Sequence, residues 1–424
     1  MSVKTPIHDF LVNYSKKGFT RCHMPGNKGR NFAHDISEIH GAGNLYAVGA
    51  DFMSAHDIIA ESEQIAARLF GAEKTLYSCS GSTLAIQAML ALIKTAGGSR
   101  ISAFRYAHRS FISVCALLDF EVDWIYPDEF LSAKLNPADV KDGADAVFVN
   151  SLDYYGGACD IKSFADISSP LLVDNAHGAY LVLTGNHPIL QGAAMTADSA
   201  HKTLPALTGA AYLHVGDKRF ITNAKAMTAL FGTSSPSYLI LESLDLCNKH
   251  IAQLKESGAE AFEFIAELKS KLPARESDPL RITINAREYG YSGIELAAEL
   301  RKNKVECEYA DENCTVLLFS TITTRTETDA VQAAFSKIAQ KKPLTAVNYP
   351  VLKPERAMSV RNALFAPVQN CAVLPLEEAI GKVCAEVNAP CPPGVPLIMP
   401  GEIISREVAD LLKSFGVKSI RITN

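Results

Sequence analysis

Residues 171–203 read LLVDNAHGAYLVLTGNHPILQGAAMTADSAHKT, and this stretch gives the strongest indication of the fold. Its first three residues, Leu171–Val173, form an apolar run that predicts a buried β-strand ending at Asp174. A buried carboxylate is costly unless it is paired, so Asp174 should face a cation or a protonated group. Lys202 follows within Ser199-Ala200-His201-Lys202-Thr203. Taken alone, the pair is more simply explained by a turn aspartate and a surface lysine.

The chain from about residue 75 to residue 215 alternates short apolar runs with helix-length segments such as 82–94 and 108–118. The runs are TLYSCS, RISAF, VDWIY, DAVFVN, PLLVD and AAYLHV. Apolar strands separated by helices predict a mostly parallel sheet covered on both faces, which is an α/β architecture. Ligands of such sheets bind at the carboxyl ends of the strands, where Asp174 is expected.

The composition is typical of a soluble globular protein. Of the 424 residues, 48% are hydrophobic and 21% are charged, and the net charge is -5. This balance argues against nucleic-acid binding and against a basic membrane-binding patch, and no apolar run approaches the length of a membrane span. The ten cysteines occur without a CxxC pair and the N-terminus lacks a signal-peptide pattern, so reduced thiols and a cytoplasmic location are expected. The eleven histidines show no HExxH or similar spacing, and no protein-held metal is expected.

Three further features indicate a pyridoxal phosphate site. Ser80-Gly81-Ser82-Thr83 follows the run TLYSC and begins a helical segment, and small hydroxyl residues at a helix start can bind phosphate, although they also serve as plain caps. His108 follows the run RISAF, where its ring could stack on a flat cofactor. The small residues in Asn175-Ala176-His177-Gly178-Ala179 would let a planar ring approach closely. Together with Asp174 and Lys202, these features match the aspartate and Schiff-base lysine of pyridoxal phosphate enzymes.

The chain resembles the Orn/Lys/Arg decarboxylase family of pyridoxal phosphate enzymes, which have the aspartate aminotransferase fold (fold type I). The resemblance covers almost the whole chain, and its most specific parts are DNAHG at 174–178 and HKTLPALT at 201–208. It implies a compact form without the extra N-terminal domain of longer relatives. The matching stretches are CHMPGNKGR at 22–30, FGAEKTLYSCSGSTLAIQAM at 70–89, YAHRSF at 106–111, DYYGGACDIK at 153–162, VDNAHGAYL at 173–181, DSAHKTLPALTGAAYLH at 198–214, TSSPSYLILESLD at 233–245 and PPGVPLIMPGE at 392–402.

Sequence pattern and resemblance together predict a large α/β domain with a mostly parallel sheet, followed by a smaller α/β domain. A long helical stretch after Ser235-Pro236 leads out of the first, and a βαββα pattern begins beyond Pro279. A proline-rich segment with many apolar residues ends the chain. The expected parts are an N-terminal active-site segment at 1–50, the large pyridoxal phosphate domain at 51–260, the small domain at 261–345 and the family's C-terminal segment at 346–424.

The resemblance also implies roles for particular residues. Lys202 would form the Schiff base with pyridoxal phosphate, Asp174 would keep the pyridine nitrogen protonated, His108 would stack on the ring, and His201 is a further candidate catalytic residue. Thr233 and Ser234 would reach the phosphate of the neighbouring subunit across a homodimer interface. The expected cofactor-binding set is Gly81, Ser82, Thr83, His108, Asp174, Ala176, His177, Ser199, His201, Lys202, Thr233 and Ser234.

The implied activity is decarboxylation of an amino acid, above all a basic one such as arginine, lysine or ornithine, to the amine used in polyamine metabolism. The bond held perpendicular to the cofactor ring is the one that breaks, so an aminotransferase or another lyase shares most of these residues. A protein that binds the cofactor without turnover is a further alternative, because fold does not determine function.

Several departures from the family pattern leave the substrate open. They are Asn27, the segment Ala42–Asn44, Asp153, Ala200 and Gly209. A basic substrate side chain needs a carboxylate partner, and Asp153 or Glu402 could supply one.

Overall fold

The structure is a computed structural model that describes residues 16–23, 26, 52–387 and 396–424. Most of the expected N-terminal active-site segment, including Asn27 and Ala42–Asn44, lies outside the described residues. The first part of the match at 392–402 also lies outside them.

Within the described residues, seven strands form the central sheet. Strand β1 (Thr20–Cys22) lies apart from this sheet and joins the smaller domain. The strands of the central sheet are β2 (Lys74–Ser78), β3 (Arg100–Phe104), β4 (Glu121–Ile125), β5 (Ala146–Asn150), β6 (Leu171–Asp174), β7 (Met195–Asp198) and β8 (Ala211–Val215). Their order across the sheet is β2-β8-β7-β6-β5-β3-β4. Only β8 runs antiparallel to its neighbours here, which confirms the predicted mostly parallel α/β sheet.

All six predicted apolar runs form strands of this sheet, but the prediction missed β7. Its sequence is MTAD, in which Thr196 and Asp198 interrupt the apolar pattern. Both side chains are nevertheless fully buried, because the Thr196 hydroxyl donates to Asp198 Oδ1 over 2.8 Å. A buried strand whose polar groups satisfy one another has no apolar signature in the sequence.

Helices cover both faces of the central sheet, as predicted. Leu76 and Leu213 pack on one face with the largely apolar second and third helices, whereas Tyr77 and Tyr212 pack on the opposite face. No helix in the described parts of the chain combines the length and the apolar character needed to cross a membrane. The helices of this part are α1 (Phe52–Phe70), α2 (Gly81–Thr95), α3 (Arg109–Leu118), α4 (Ala200–Thr203), α5 (Ile221–Phe231), α6 (Tyr238–Ser257) and α7 (Glu260–Ser270).

The smaller α/β domain follows the predicted order of elements. Its antiparallel sheet consists, in order across the sheet, of the strands Tyr309–Ala310, Cys314–Leu318, Arg281–Asn285 and Ala274–Arg275, and β1 pairs in parallel with the strand Val305–Cys307 beside it. A capping box of Ser292 and Glu295 begins its first helix. The elements are β9 (Ala274–Arg275), β10 (Arg281–Asn285), α8 (Gly293–Lys302), β11 (Val305–Cys307), β12 (Tyr309–Ala310), β13 (Cys314–Leu318) and α9 (Arg325–Phe335).

The C-terminal segment has a small sheet and an apolar cluster of its own. The three strands are antiparallel, and the last of them, Ser419–Thr423, lies in the middle between Cys371–Pro375 and Val383–Cys384. The apolar cluster between these strands and the helices includes Leu397, Ile398, Leu412 and Ile420. The elements are α10 (Val360–Leu364), β14 (Cys371–Pro375), α11 (Leu376–Ala379), β15 (Val383–Cys384), α12 (Arg406–Ser414) and β16 (Ser419–Thr423).

A buried ion pair joins this C-terminal segment to the central sheet. Arg105, directly after β3, donates to both carboxylate oxygens of Glu402 over 2.9 and 2.8 Å, and the two side chains are only 1% and 2% exposed. The backbone N–H of Met399 donates to Glu402 over 2.8 Å. Burial raises the pKa of Glu402, although Arg105 opposes that shift. The pair fixes the loop that leads from β3 to His108.

Removing one partner of this ion pair should destabilise the protein strongly, because the other charge is left buried and unpaired. We expect Glu402→Leu to lower the free energy of unfolding by about 3–5 kcal/mol. The exposed pair of Glu377 and Arg406 is the control, and Glu377→Leu should cost less than about 1 kcal/mol. Denaturant unfolding measures both, and equal losses in the two variants would contradict the prediction.

Candidate active site

The carboxyl ends of β5, β6 and β7 meet the start of α2 at a cavity of about 240 Å³. In the sheet, Asn150 lies opposite Asp174, and Asp174 lies opposite Ala197, so three strand ends stand side by side. Ten of the twelve predicted site residues line this cavity, which is the convergence expected of a parallel sheet. They are Gly81, Ser82, Thr83, His108, Asp174, Ala176, His177, Ser199, His201 and Lys202.

Thr233 and Ser234, the other two predicted residues, lie elsewhere. Both are exposed in the segment between α5 and α6 and do not line the cavity. The hydroxyl of Thr233 accepts a hydrogen bond from the backbone N–H of Ser235 over 3.0 Å. Their predicted contact with a second subunit stays a prediction.

Asp174 ends β6 and lies at the bottom of the cavity, where it is 6% exposed. Its Oδ1 accepts a hydrogen bond from the backbone N–H of Ala176 over 3.1 Å. Burial raises the pKa of Asp174 to about 6, against the opposing effect of the Lys202 charge and this hydrogen bond. The site therefore holds a carboxylate at an energetic cost that a bound cation would relieve.

Lys202 belongs to α4, the short helix that follows β7. Its Nζ lies 3.1 Å from Nε2 of His177. Burial lowers the pKa of His177 well below its usual value, and the charge of Lys202 acts in the same direction. His177 is therefore neutral, with Nε2 accepting from the lysine and Nδ1 carrying the proton. That buried Nδ1 has no hydrogen-bond partner among the described residues.

The start of α2 forms a concave polar surface opposite Asp174. The hydroxyl of Ser199 donates to that of Ser82 over 2.8 Å, and Ser82 and Thr83 occupy the first turn of the helix. Gly81 has a positive φ of 69°, which glycine adopts without strain. First-turn N–H groups and the helix dipole both favour an anion such as phosphate here.

His108 is the N-cap of α3 rather than a free ring on a loop. Its Nδ1 accepts from the backbone N–H of Ser110 over 3.3 Å and lies 2.8 Å from the Ser110 hydroxyl. Burial lowers the pKa of His108 to about 4, and the charge of Lys202 contributes. A neutral, capped imidazole is suited to stacking on a flat ring and not to donating a proton at neutral pH.

His201 is fixed by the backbone beside the cavity. Its Nδ1 donates to the carbonyl of Ala210 over 3.0 Å, and burial lowers its pKa. The N-terminal segment reaches the same point, because the N–H of Gly26 donates to the carbonyl of His201 over 2.5 Å. A Cβ atom at Gly26 would lie 2.4 Å from the carbonyl oxygen of Leu204, so only glycine fits against α4.

The structure gives the two proposed substrate carboxylates other partners. Glu402 does not line the cavity and is paired with Arg105. Asp153 does line the cavity, but its oxygens accept backbone hydrogen bonds from Ala133, Tyr155 and Gly157 over 3.0, 2.9 and 2.8 Å. Asp153 therefore fixes two loops, and the interpretation of either residue as a ready partner for a basic side chain is not supported.

Sequence reasoning missed several residues of the cavity wall. Phe104, Tyr106, Leu131 and Tyr154 supply apolar and aromatic surface, and the ring of Tyr154 lies 5.1 Å from that of His177. Asn150 could have been found by the signal that identified Asp174, because it too is a polar residue that ends an apolar strand. The four wall residues carry no such signal, since apolar side chains in cores and in pockets look alike in a sequence.

The cavity fits pyridoxal phosphate in three respects. Its lining includes the first turn of α2, which could hold a phosphate, and the carboxylate of Asp174, which could pair with a protonated ring nitrogen. Asn150 Oδ1 and His177 Nδ1 are buried without partners among the described residues, which indicates that a polar ligand completes the site. Lys202 also lines the cavity and would supply the attachment point.

Comparison with known families agrees with this site. A family model described as Orn/Lys/Arg decarboxylase, major domain, matches residues 5–275. A second, described as Orn/Lys/Arg decarboxylase, C-terminal domain, matches residues 341–419. The chain is 27% identical to the arginine decarboxylase of Halalkalibacterium halodurans, over 95% of this chain and 91% of that protein. It is 26% identical to the arginine decarboxylase of Bacillus subtilis, over 95% of this chain and 92% of that protein.

Solved structures show a similar fold. The constitutive lysine decarboxylase of E. coli superimposes with a TM-score of 0.69 at 16% identity, over 99% of this chain and 82% of that chain. The Francisella novicida lysine decarboxylase gives a TM-score of 0.70 at 15% identity, over 99% of this chain and 83% of that chain. With the strand order described above, these likenesses confirm the predicted fold type I architecture.

The charge of Asp174 should make the cofactor-free protein less stable than a neutral variant. Its pKa rises from 3.8 in the unfolded chain to about 6 in the fold, so the ionised form costs stability above pH 6. At about 1.4 kcal/mol per pH unit, the cost is on the order of 3 kcal/mol. Below about pH 4 the carboxyl is protonated in both states and the cost disappears.

Asp174→Asn without cofactor should therefore unfold at a higher temperature than the wild type at pH 7.5, and the difference should vanish as the pH falls towards 4. Thermal unfolding at several pH values measures this. A variant less stable than the wild type at pH 7.5 would show that the buried charge is already compensated.

Proposed function

The chain belongs to the Orn/Lys/Arg decarboxylase family, and we propose that it uses pyridoxal phosphate to decarboxylate a basic amino acid. Family membership makes an amino acid its substrate and decarboxylation its reaction. Arginine is the first candidate, because curated relatives spanning nearly the whole chain are named arginine decarboxylases. Lysine and ornithine follow.

The observation that carries the proposal is the position of Asp174, His177 and Lys202 around one cavity, opposite the start of α2. An acidic group, a neutral imidazole and a primary amine are thus held at the carboxyl ends of adjacent strands. When bound, pyridoxal phosphate supplies an electron sink for the electron pair of the bond that breaks. Asp174 would stabilise the protonated ring nitrogen, and Ser82, Thr83 and Ser199 would hold the phosphate.

Proton delivery to the product falls to Lys202 in this arrangement. Burial depresses the pKa of each of the three cavity histidines, His108, His177 and His201, so they are neutral near pH 7. A neutral imidazole is a poor acid, whereas an ammonium group beside it can donate. His177 would accept a hydrogen bond from Lys202 and orient it, since the two nitrogens lie 3.1 Å apart.

The wall of the cavity favours decarboxylation over reactions that need an open site. Phe104, Tyr106 and Leu131 are each at most 4% exposed and exclude water from one side. A dry wall destabilises a carboxylate and favours the loss of neutral carbon dioxide. Aminotransfer or another lyase reaction remains the alternative.

We also propose that the active form is a cytoplasmic homodimer with the site at the subunit interface. Thr233 and Ser234 support the dimer, because they are predicted to bind phosphate but are exposed and do not line the cavity of their own subunit. The nine described cysteines are all free thiols, which suits a reducing compartment.

Lys202 should be the residue that attaches the cofactor. Incubation with pyridoxal phosphate followed by borohydride should place the added mass on the peptide that contains Lys202, and mass spectrometry would locate it. Lys202→Ala should lose this label, the visible absorption band and turnover, whereas Lys413→Ala, at an exposed position on α12, should keep all three. Labelling elsewhere in the wild type would contradict the assignment.

A substrate panel tests the reaction itself. The enzyme with pyridoxal phosphate is incubated with arginine, lysine, ornithine and non-basic amino acids, and released carbon dioxide and amine are measured by mass spectrometry. We expect carbon dioxide and the matching amine from one of the basic amino acids. Keto acid without carbon dioxide would favour the aminotransferase alternative, and the absence of any product would favour a non-catalytic protein.

A further inference from the structure

A fully buried polar network lies directly beneath the candidate active site. It links the side chains of Ser151, Asn175, His187 and Asp198, none of which is more than 3% exposed. Ser151 follows β5, Asn175 follows β6 and Asp198 ends β7. His187 caps the 3-10 turn Pro188–Gln191, which precedes β7. The network thus joins the same strand ends that carry the site.

The side chain of Asn175 is held at both ends. Its Nδ2 donates to Asp198 Oδ2 over 2.7 Å, and its Oδ1 accepts from the Ser151 hydroxyl over 2.6 Å. Gly178 leaves the room that this amide needs, because a Cβ atom there would lie 2.0 Å from Asn175 Oδ1. The amide therefore has one orientation, set by partners on the two adjacent strands.

Asp198 is the anion at the centre of the network. Its Oδ2 also accepts from His187 Nε2 over 2.8 Å, and its Oδ1 accepts from the Thr196 hydroxyl over 2.8 Å. Burial raises the pKa of Asp198, but His187, His214 and the hydrogen bond from Thr196 together bring that pKa below its usual value. Asp198 is thus a buried carboxylate with three donors.

The same region holds a group of side chains that a metal ion could use. The ligand atoms of His187, Asp198 and His214 all lie within 4.8 Å of one another. Both oxygens of Asp198 are already occupied by hydrogen bonds from Asn175, His187 and Thr196, so the carboxylate is satisfied without an ion. The geometry is that of a hydrogen-bonded network.

The network is connected to Asp174 through the backbone. Asn175 is the next residue, and its N–H donates to the carbonyl of Ala197 over 2.9 Å. The N–H of Ser151 donates to the carbonyl of Asp174 over 3.0 Å. The peptide unit between Asp174 and Asn175 is therefore tied through its C=O to Ser151 and through its N–H to β7. The Asn175 side chain, which follows this peptide unit, is tied to the same two strand ends through Ser151 and Asp198.

We propose that Asn175, held by Asp198 and His187, is a positioning residue that fixes Asp174 for the ring nitrogen of the cofactor. This inference rests on the proposed function and extends it to residues that never reach the cavity. Removal of the Asn175 amide should then weaken the binding of pyridoxal phosphate, and this loss of affinity should exceed what the loss of fold stability alone would cause.

The test compares Asn175→Ala with Asn248→Ala. Asn248 lies on α6, is as buried as Asn175, and donates a hydrogen bond to the Tyr77 hydroxyl over 2.7 Å. The dissociation constant of pyridoxal phosphate is measured by equilibrium dialysis, and the unfolding temperature of the cofactor-free protein is measured beside it. Both variants should lose similar stability. Asn175→Ala should bind pyridoxal phosphate at least about tenfold more weakly than the wild type, which corresponds to about 1.4 kcal/mol, and Asn248→Ala should bind within about twofold of the wild type.

A second pair of variants covers the case in which Asn175→Ala does not fold. His187→Gln keeps an N–H group that can donate to Asp198 and should retain the wild-type affinity, whereas His187→Leu should lose it. Equal affinity of Asn175→Ala and the wild type, or equal losses in the two His187 variants, would overturn the network inference alone. A wild type that binds no pyridoxal phosphate would instead overturn the proposed function and this inference with it.

Discussion

A carboxylate buried at the end of a β-strand is the constraint on which the site depends. Asp174 is nearly inaccessible, and burial raises its pKa to about 6, so its charge is held against the preference of the surrounding protein. A buried charge of this kind is stable only when a cationic group is paired with it. The neighbouring Lys202 and the ring nitrogen of a cofactor are the two partners that the geometry offers, and both belong to the proposed chemistry.

The rest of the fold holds this carboxylate in place. Parallel strands bring Asn150, Asp174 and Asp198 to one edge of the sheet, and the antiparallel β8 pairs with β7 next to them. The ion pair of Arg105 and Glu402 ties the loop before His108 to the C-terminal segment. Strand pairing and a buried ion pair therefore hold the segments that carry these groups, and fixed groups are what electrostatic catalysis requires.

The apolar wall of the cavity includes a strained residue, Leu131. Leu131 has a positive φ of 59°, a strained conformation for a leucine, and it is buried against Phe104 and Tyr106. Asp153 holds the next part of the same loop through the N–H of Ala133. The carboxylate of Asp153 therefore anchors the loop that contributes Leu131 to this apolar wall. Among the described residues that line the cavity, the carboxylates are Asp153, which accepts three backbone hydrogen bonds, and Asp174, which accepts one.

The sequence by itself determined the parallel sheet and the helix start at Gly81, and it predicted that Asp174 and Lys202 belong to one site, because apolar runs and a family's exact motifs are local properties. It could not show β7, whose Thr196 and Asp198 look like a loop until they bond each other in the core. It could not show that Glu402 pairs with Arg105, because these residues are far apart in the chain. It also could not show that Asp198 holds Asn175, because these side chains face away from the motif residues beside them. Only the tertiary structure decides which buried polar groups meet, because a buried polar group is stable only when it forms hydrogen bonds with another one.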